Sequence, residues 1–206
     1  MTPELIVLPV GPLQANCYLL HNPAGPAIII DPGGDAAEII ARCRDMQPQM
    51  VLLTHGHVDH VAAACALQRE WRVPVLAHAA DWHFVAQPHP YFAQLVGGME
   101  PCTPDEALQD GQEIRAGEIV LRVMHTPGHS EGSVCLFWGD AVFTGDTLFA
   151  GSVGRTDLPG GSWPTLERSL RQLVAATPPE AIIYPGHGPS TTLQRELAEN
   201  QFLQDL

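Results

Sequence analysis

Thr54-His55-Gly56-His57-Val58-Asp59-His60 follows directly on the apolar run Met50-Val51-Leu52-Leu53. Three imidazoles and a carboxylate therefore sit together where a buried strand should give way to a loop. Imidazole nitrogen and carboxylate oxygen are ligands for zinc and neighbouring divalent transition metals. If the chain leaves the strand extended, His55 and His57 project to one side, because alternate residues share a face. If it then coils into a helix near Val58, Asp59 and His60 swing toward a second position close by. One short stretch can thus serve two metal ions, with Gly56 letting the backbone turn between them. The alternative is a polar loop of solvated histidines. The density of ligand-type residues behind a hydrophobic strand weighs against it.

Upstream, Leu5–Val10, Cys17–Leu20 and Ala27–Ile30 are apolar runs separated by turn residues, which predicts an antiparallel meander. Asp35 is placed to cap a helix running to about Met46. Downstream, Val61–Trp71 reads as a helix and Val73–Ala77 as a strand, so helices and strands alternate in the α/β manner. The stretch from about His83 to Glu113 is rich in proline and glycine and reads as an irregular surface excursion bordering the site. Strands resume over Glu118–Val123, Ser133–Trp138 and Ala141–Phe143, with Gly139-Asp140 as a hairpin signal. Leu166–Ala176 is the next helix, Ala181–Tyr184 the next strand, and Thr192–Leu206 a closing helix. This order predicts two similar halves, each presenting a sheet, with helices outside. No linker divides the 206 residues, so residues 1–206 are expected to form one domain.

Composition narrows the function. There are 23 acidic residues against 10 basic ones, a formal net charge of -13. Such a surface repels phosphate backbones, so a nucleic-acid partner is not expected. No run is long enough to span a membrane, and the N-terminal residues lack the pattern of a signal peptide. Five cysteines are scattered singly, without a Cys-x-x-Cys pair, as expected of buried small hydrophobes in a reducing compartment. A soluble cytoplasmic protein acting on a small molecule is the expectation.

Three later points repeat the opening pattern of a ligand-type residue just beyond an apolar strand. They are His129 in Pro127-Gly128-His129-Ser130, Asp146 in Thr144-Gly145-Asp146-Thr147, and His187 in Pro185-Gly186-His187-Gly188. In each, glycine directly precedes the ligand and permits a sharp turn. Alone, a histidine after Pro-Gly is more often a turn residue than a ligand; the conjunction with the first cluster raises all three.

Together these motifs, in this order, resemble those of the metallo-β-lactamase superfamily across most of the chain. Gly145-Asp146-Thr147-Leu148-Phe149, Gly154-Arg155-Thr156-Asp157 and the ending Pro185–Thr192 look like the shortened bacterial members of its glyoxalase II (hydroxyacylglutathione hydrolase) branch. The resemblance implies a four-layer αβ/βα sandwich without the helical C-terminal substrate domain of longer members. It also implies two divalent transition-metal ions, zinc foremost with iron or manganese as alternatives. His55, His57 and His129 would hold the first, and Asp59, His60 and His187 the second. Asp146 would bridge them together with a hydroxide, which makes Asp59 and Asp146 the catalytic carboxylates. The implied reaction is hydrolysis of a thioester such as S-lactoylglutathione.

Charge and chemistry agree with that implication. Two divalent cations bring +4; two carboxylates and a hydroxide return three negatives. A centre left positive lowers the pKa of bound water and stabilises an oxyanion. A thiolate leaves without a strong general acid, and no serine shows a nucleophile-elbow pattern. Arg155 is the candidate for gripping an anionic substrate, at the position where longer glyoxalase II chains resemble it with a lysine. Those chains have a tyrosine two places later, where this one has Asp157. Asp31, before Pro32-Gly33, is either a turn residue or a hydrogen-bond partner of a ligating histidine. His125 is expected to support the site, His78 and His83 to lie near the surface, and His21 and His89 to be solvated. Two other readings stand beside the hydrolase: an iron-dependent persulfide dioxygenase of the same superfamily, and a non-catalytic metal-stabilised scaffold.

Overall fold

Continuous apolar runs such as Cys17-Tyr18-Leu19-Leu20 and Ile28-Ile29-Ile30 can satisfy both faces of a strand only if each face is covered. The computed structural model, which describes residues 2–204 and 206, shows how this is done. One six-stranded sheet contains β1 (Glu4–Val10), β2 (Ala15–His21), β3 (Pro26–Ile30), β4 (Gln47–Leu52), β5 (Val75–His78) and β6 (Glu106–Leu108), side by side in that order. The first three are antiparallel and the last three join in parallel. Helices α1 (Ala36–Arg42), α2 (Val58–Val61), α3 (Ala64–Trp71), α4 (Trp82–Ala86) and α5 (Pro90–Leu95) belong to this half.

The second half supplies β7 (Glu113–Ala116), β8 (Ile119–His125), β9 (Val134–Trp138), β10 (Ala141–Gly145), a small pair β11 (Leu148–Phe149) and β12 (Ser152–Val153), then α6 (Trp163–Ala176), β13 (Ile182–Pro185), β14 (Thr191–Thr192), α7 (Leu193–Glu199) and α8 (Gln201–Gln204). Its six-stranded sheet runs β14-β13-β10-β9-β8-β7. Residues alternate between cores as the pleat requires. Tyr18, Leu20, Ile28, Ile30, Leu52 and Leu76 face Leu121, Val123, Leu136 and Phe143 between the sheets. Cys17, Leu19, Ile29, Val51 and Val75 face α1 and α3. Cys135, Phe137, Val142 and Ile183 face α6 and α7. The four-layer αβ/βα sandwich expected from the sequence is the observed architecture. All five cysteines are free and buried. No helix among the described residues is long and apolar enough to cross a membrane.

The departures have local causes. The helix expected from Asp35 to Met46 ends at Arg42; Asp35 takes φ 49 and makes no side-chain cap. Its carboxylate instead accepts from the Gly11 amide, tying the helix start to the β1–β2 turn. The helix expected over Val61–Trp71 is broken around Ala62-Ala63, where the Ala63 N–H is drawn to the Pro32 carbonyl. The region from His83 to Glu113 is not irregular throughout. Pro90 starts α5, the His89 ring accepts from the Tyr91 amide, and β6 closes the first sheet. At the end of the chain, Thr192 pairs as a strand residue and caps α7 by accepting from the Arg195 amide. The closing helix divides at Asn200, whose amide group donates to Ser152 and Glu196; Asp205 lies outside the described residues.

Hydrogen bonds stitch the two sheets together along one edge. Val134 N–H donates to the Thr54 carbonyl, and Asn16 N–H to that of Gly186. The Tyr18 hydroxyl and the Asn16 amide both donate to the Pro185 carbonyl. These bonds hold β4, β9 and β13 in fixed relation at the edge where the ligand-bearing loops emerge.

Candidate metal centre

The loops after β4, β8, β10 and β13 all leave the sandwich on this edge and bring the seven predicted side chains together. His55, His57 and His129 form one group and Asp59, His60 and His187 another, while Asp31 with His55 and His60 forms a third, fully buried group that joins them from behind. Within each group the ligand atoms lie within 4.8 Å of one another. In the first, ring centroids are 4.8, 4.6 and 4.8 Å apart and the planes cross at 79–86°. Three rings turned this way aim their nitrogens at a common point rather than stacking on each other. Asp146 lies between the groups. Its carboxylate is 3.3 Å from His60 Nε2, 3.6 Å from His129 Nε2 and 3.9 Å from His187 Nε2.

Does the donor set fit a metal? His55 Nε2 is buried without a hydrogen-bond partner, and so is Asp146 Oδ1. His57 Nδ1 and His129 Nε2 stand 2.8 Å apart, as do His60 and His187 Nε2 at 3.3 Å, acceptor-rich atoms facing one another. Buried polar atoms are nearly always partnered, so orphaned, converging lone pairs fit cations bound among them. The set suits a binuclear site for divalent metal.

The protonation pattern agrees. Burial, aided by the neighbouring rings, drives His55 down and holds His57 down at about 4, so both offer neutral nitrogen at pH 7. Burial also works against charge on His60, but the Asp146 and Asp59 carboxylates outweigh it and raise its pKa well above the usual histidine value. Burial works upward on both carboxylates, yet His60 foremost holds Asp59 and Asp146 below the ordinary range. The carboxylates that favour positive charge on His60 favour a cation at the same place.

Surrounding groups fix the ligands. Asp31 adopts φ 52, and its carboxylate accepts from the Thr54 amide at 2.7 Å and hydroxyl at 2.6 Å and faces His60 Nδ1 at 3.1 Å. It is both a turn residue and the partner of a site histidine. His129 Nδ1 faces the Arg155 carbonyl at 2.8 Å, which sets its tautomer and turns Nε2 toward the cluster. Asp81 was not foreseen as part of the site. It is fully buried and accepts from Gly56 N–H, Gly132 N–H and Ser130 Oγ, bracing the loops that carry both His57 and His129. The glycines differ in purpose. Gly128 and Gly145 take φ 138 and 48. Gly186 has no such conformation; a methyl group there would fall on Asp146 Oδ1 and lie 2.7 Å from His60 Cε1.

The cluster opens into a cavity of about 540 Å³ that His57, Asp59, His129, Asp146, Arg155 and His187 help to line. Phe84, Phe92 and Leu95 from the region after His83 form its far wall, so that region does border the site. Arg155 is at the cavity, but its guanidinium is forked onto Asp157, at 2.6 and 2.8 Å. His83 and His89 are exposed at the rim. His21, expected to be solvated, is buried instead, its Nε2 without a hydrogen bond and 4.0 Å from the Glu4 carboxylate. His125 stacks on His78 with centroids 4.0 Å apart, and its Nε2 faces the Glu131 carbonyl at 2.9 Å, in the loop that carries His129.

Comparison with known proteins places this geometry. The family model described as the metallo-beta-lactamase superfamily matches residues 10–187, a span that takes in all seven clustered side chains. The chain belongs to this superfamily. Among metallo-β-lactamase relatives, the hydroxyacylglutathione hydrolase GloC of Haemophilus influenzae is 35% identical over 96% of this chain and 96% of its own. The solved B3 metallo-beta-lactamase BLEG-1 is 36% identical with a TM-score of 0.88, covering 97% of this chain and 99% of that one. TTHA1623, solved in a di-iron-bound form, is 38% identical with a TM-score of 0.84, covering 98% and 100%. The match to GloC supports the glyoxalase II-like branch of this metallo-hydrolase superfamily.

Proposed function

We propose that the protein is a dinuclear metal-dependent hydrolase of small-molecule thioesters. The observation that carries this reading is the pair of ligand groups at the floor of an open cavity with the Asp146 carboxylate between them, 3.3 Å from His60, 3.6 Å from His129 and 3.9 Å from His187. His55, His57 and His129 would hold one ion and Asp59, His60 and His187 the other, with Asp146 reaching both. Three imidazoles per ion or two with a carboxylate suit zinc, and the di-iron relative makes iron the alternative. When bound, such ions supply a water-derived nucleophile at neutral pH and draw charge from an acyl oxygen.

The chain's own residues do the rest. Asp31 and the Arg155 carbonyl orient His60 and His129, so that the lone pairs face inward without rearrangement. The neutral His55 and His57 present nitrogen rather than N–H. Asp59 and Asp146 stay ionised and balance charge that would otherwise repel a second cation. Phe84 and Phe92 reduce the water around a seated acyl group, which strengthens the electrostatics at the floor. A thioester suits this site because a thiolate leaves without help from a strong general acid. GloC, by its name a hydrolase of hydroxyacylglutathione, supports the choice.

Purified, metal-replete protein is expected to hydrolyse S-lactoylglutathione or a simpler acyl thioester, with activity lost on chelation and restored by metal. Turnover that survives chelation would sink the proposal. The BLEG-1 likeness favours one second reading, β-lactam hydrolysis. A chromogenic cephalosporin cleaved faster than any acyl thioester would select it.

A further inference from the structure

The cavity that reaches the cluster is short of free positive charge. The protein has 10 basic residues, all arginine, and a formal net charge of -13. Of these arginines only Arg155 lines the cavity. Asp157 takes the Nε/Nη2 edge of its guanidinium, with Oδ1 2.6 Å from Nε and Oδ2 2.8 Å from Nη2, and offsets its charge. A substrate carboxylate approaching Arg155 therefore meets a cation already paired, with a second negative charge beside it. Away from the ligand cluster and Arg155, the lining is apolar except for His83, Gln87 and His89. Phe84 and Phe92 are half-buried, and Leu95 and Leu13 are more than 40% exposed at the mouth. Helix α5, which carries Phe92 and Leu95, has no buried residue, so these side chains contribute little to the protein's own core. Large apolar groups left around a cavity are the usual mark of an apolar ligand.

We propose that the cavity selects thioesters with an uncharged, apolar arm, gripped by Phe84, Phe92 and Leu95, while Asp157 keeps Arg155 from anionic carriers. The inference rests on the thioester-hydrolase reading for the bond that is cut, but not for the preference of the cavity. Asp157 acts as a selectivity residue through Arg155 and touches no reacting atom.

Two uncleavable thioethers isolate the preference, S-hexyl-N-acetylcysteamine and S-hexylglutathione, which share the hexyl arm and differ in carrier charge. Titration calorimetry on the full metal-loaded protein should find the neutral ligand at least about tenfold tighter. Asp157→Ala, an exposed change, should tighten S-hexylglutathione about fivefold or more and leave the neutral ligand within about twofold, as freeing a guanidinium fork would. Phe92→Ala should weaken the neutral ligand roughly tenfold at unchanged melting temperature, as loss of a ring contact would. Equal or tighter binding of S-hexylglutathione by the unaltered protein would overturn the proposal, as would an Asp157→Ala variant without a selective gain for it. Hydrolysis assays separate the two levels. S-lactoylglutathione turnover with the binding preference reversed removes this inference alone. The predicted binding pattern without turnover of any thioester removes the hydrolase reading and leaves the cavity's preference standing.

Discussion

Asp146→Asn should lower thioester hydrolysis by roughly a thousandfold or more, about 4 kcal/mol of transition-state stabilisation, while the protein still folds. The carboxylate is within reach of His60, His129 and His187 together, at 3.3, 3.6 and 3.9 Å. An amide of the same shape keeps the volume but loses the negative charge, and its NH₂ would point a donor at atoms that need an acceptor. Circular dichroism and a thermal melt would establish that the variant folds, and elemental analysis should show fewer metal ions retained. Near-normal turnover in a folded variant would remove Asp146 from its role between the two groups.

The second large effect is expected at a residue that touches no predicted ligand through its side chain. Asp81→Ala should destabilise the metal-free protein by about 3–5 kcal/mol, because it strands two buried backbone donors and removes a charged acceptor. Gly56 N–H at 2.8 Å and Gly132 N–H at 2.7 Å have that carboxylate as their partner, and Ser130 Oγ donates to it at 2.6 Å. Asp81→Asn is the informative companion. It preserves packing, yet an amide offers one oxygen where three donors converge, so about half the loss should persist. With the loops of His57 and His129 less well held, metal affinity should fall roughly ten- to a hundredfold. Urea titration of the apo-protein and competition with a chelator read the two effects separately. Wild-type stability in Asp81→Ala would show that the loops are braced by other contacts.

Asp81 also shows where reading the chain stops. Its partners lie 25, 49 and 51 residues away, on two other loops. Nothing in Ala79-Ala80-Asp81-Trp82 separates such a residue from an ordinary helix start. The seven clustered side chains were legible for the opposite reason. Four fall in one heptapeptide, and the rest repeat one local pattern of strand, glycine and ligand. The sheets were legible because Ile28-Ile29-Ile30 and its counterparts are apolar on both faces, which only a covered strand satisfies. Helix α5 was not, since six residues opened by Pro90 with none buried leave no helical period to detect. Gly186 was noticed for a different reason from the one that applies. It reads as a turn former, whereas it is the approach of Asp146 and His60 that excludes a side chain. Arg155 was legible as a cation near the site, but its partner Asp157 looked only like a departure from a related pattern. The structure makes that departure a pairing.

The central claim is that two metal ions act together at this cluster, and a stepwise titration tests it most directly. Apo-protein prepared by chelation would receive zinc, and in a parallel series iron under anaerobic conditions, while acyl-thioester turnover is followed against metal equivalents bound per chain. The arrangement of His55, His57 and His129 beside Asp59, His60 and His187, joined by Asp146, predicts activity that rises until two equivalents are bound and then stays level. Full activity at one equivalent, with the second changing nothing, would contradict it.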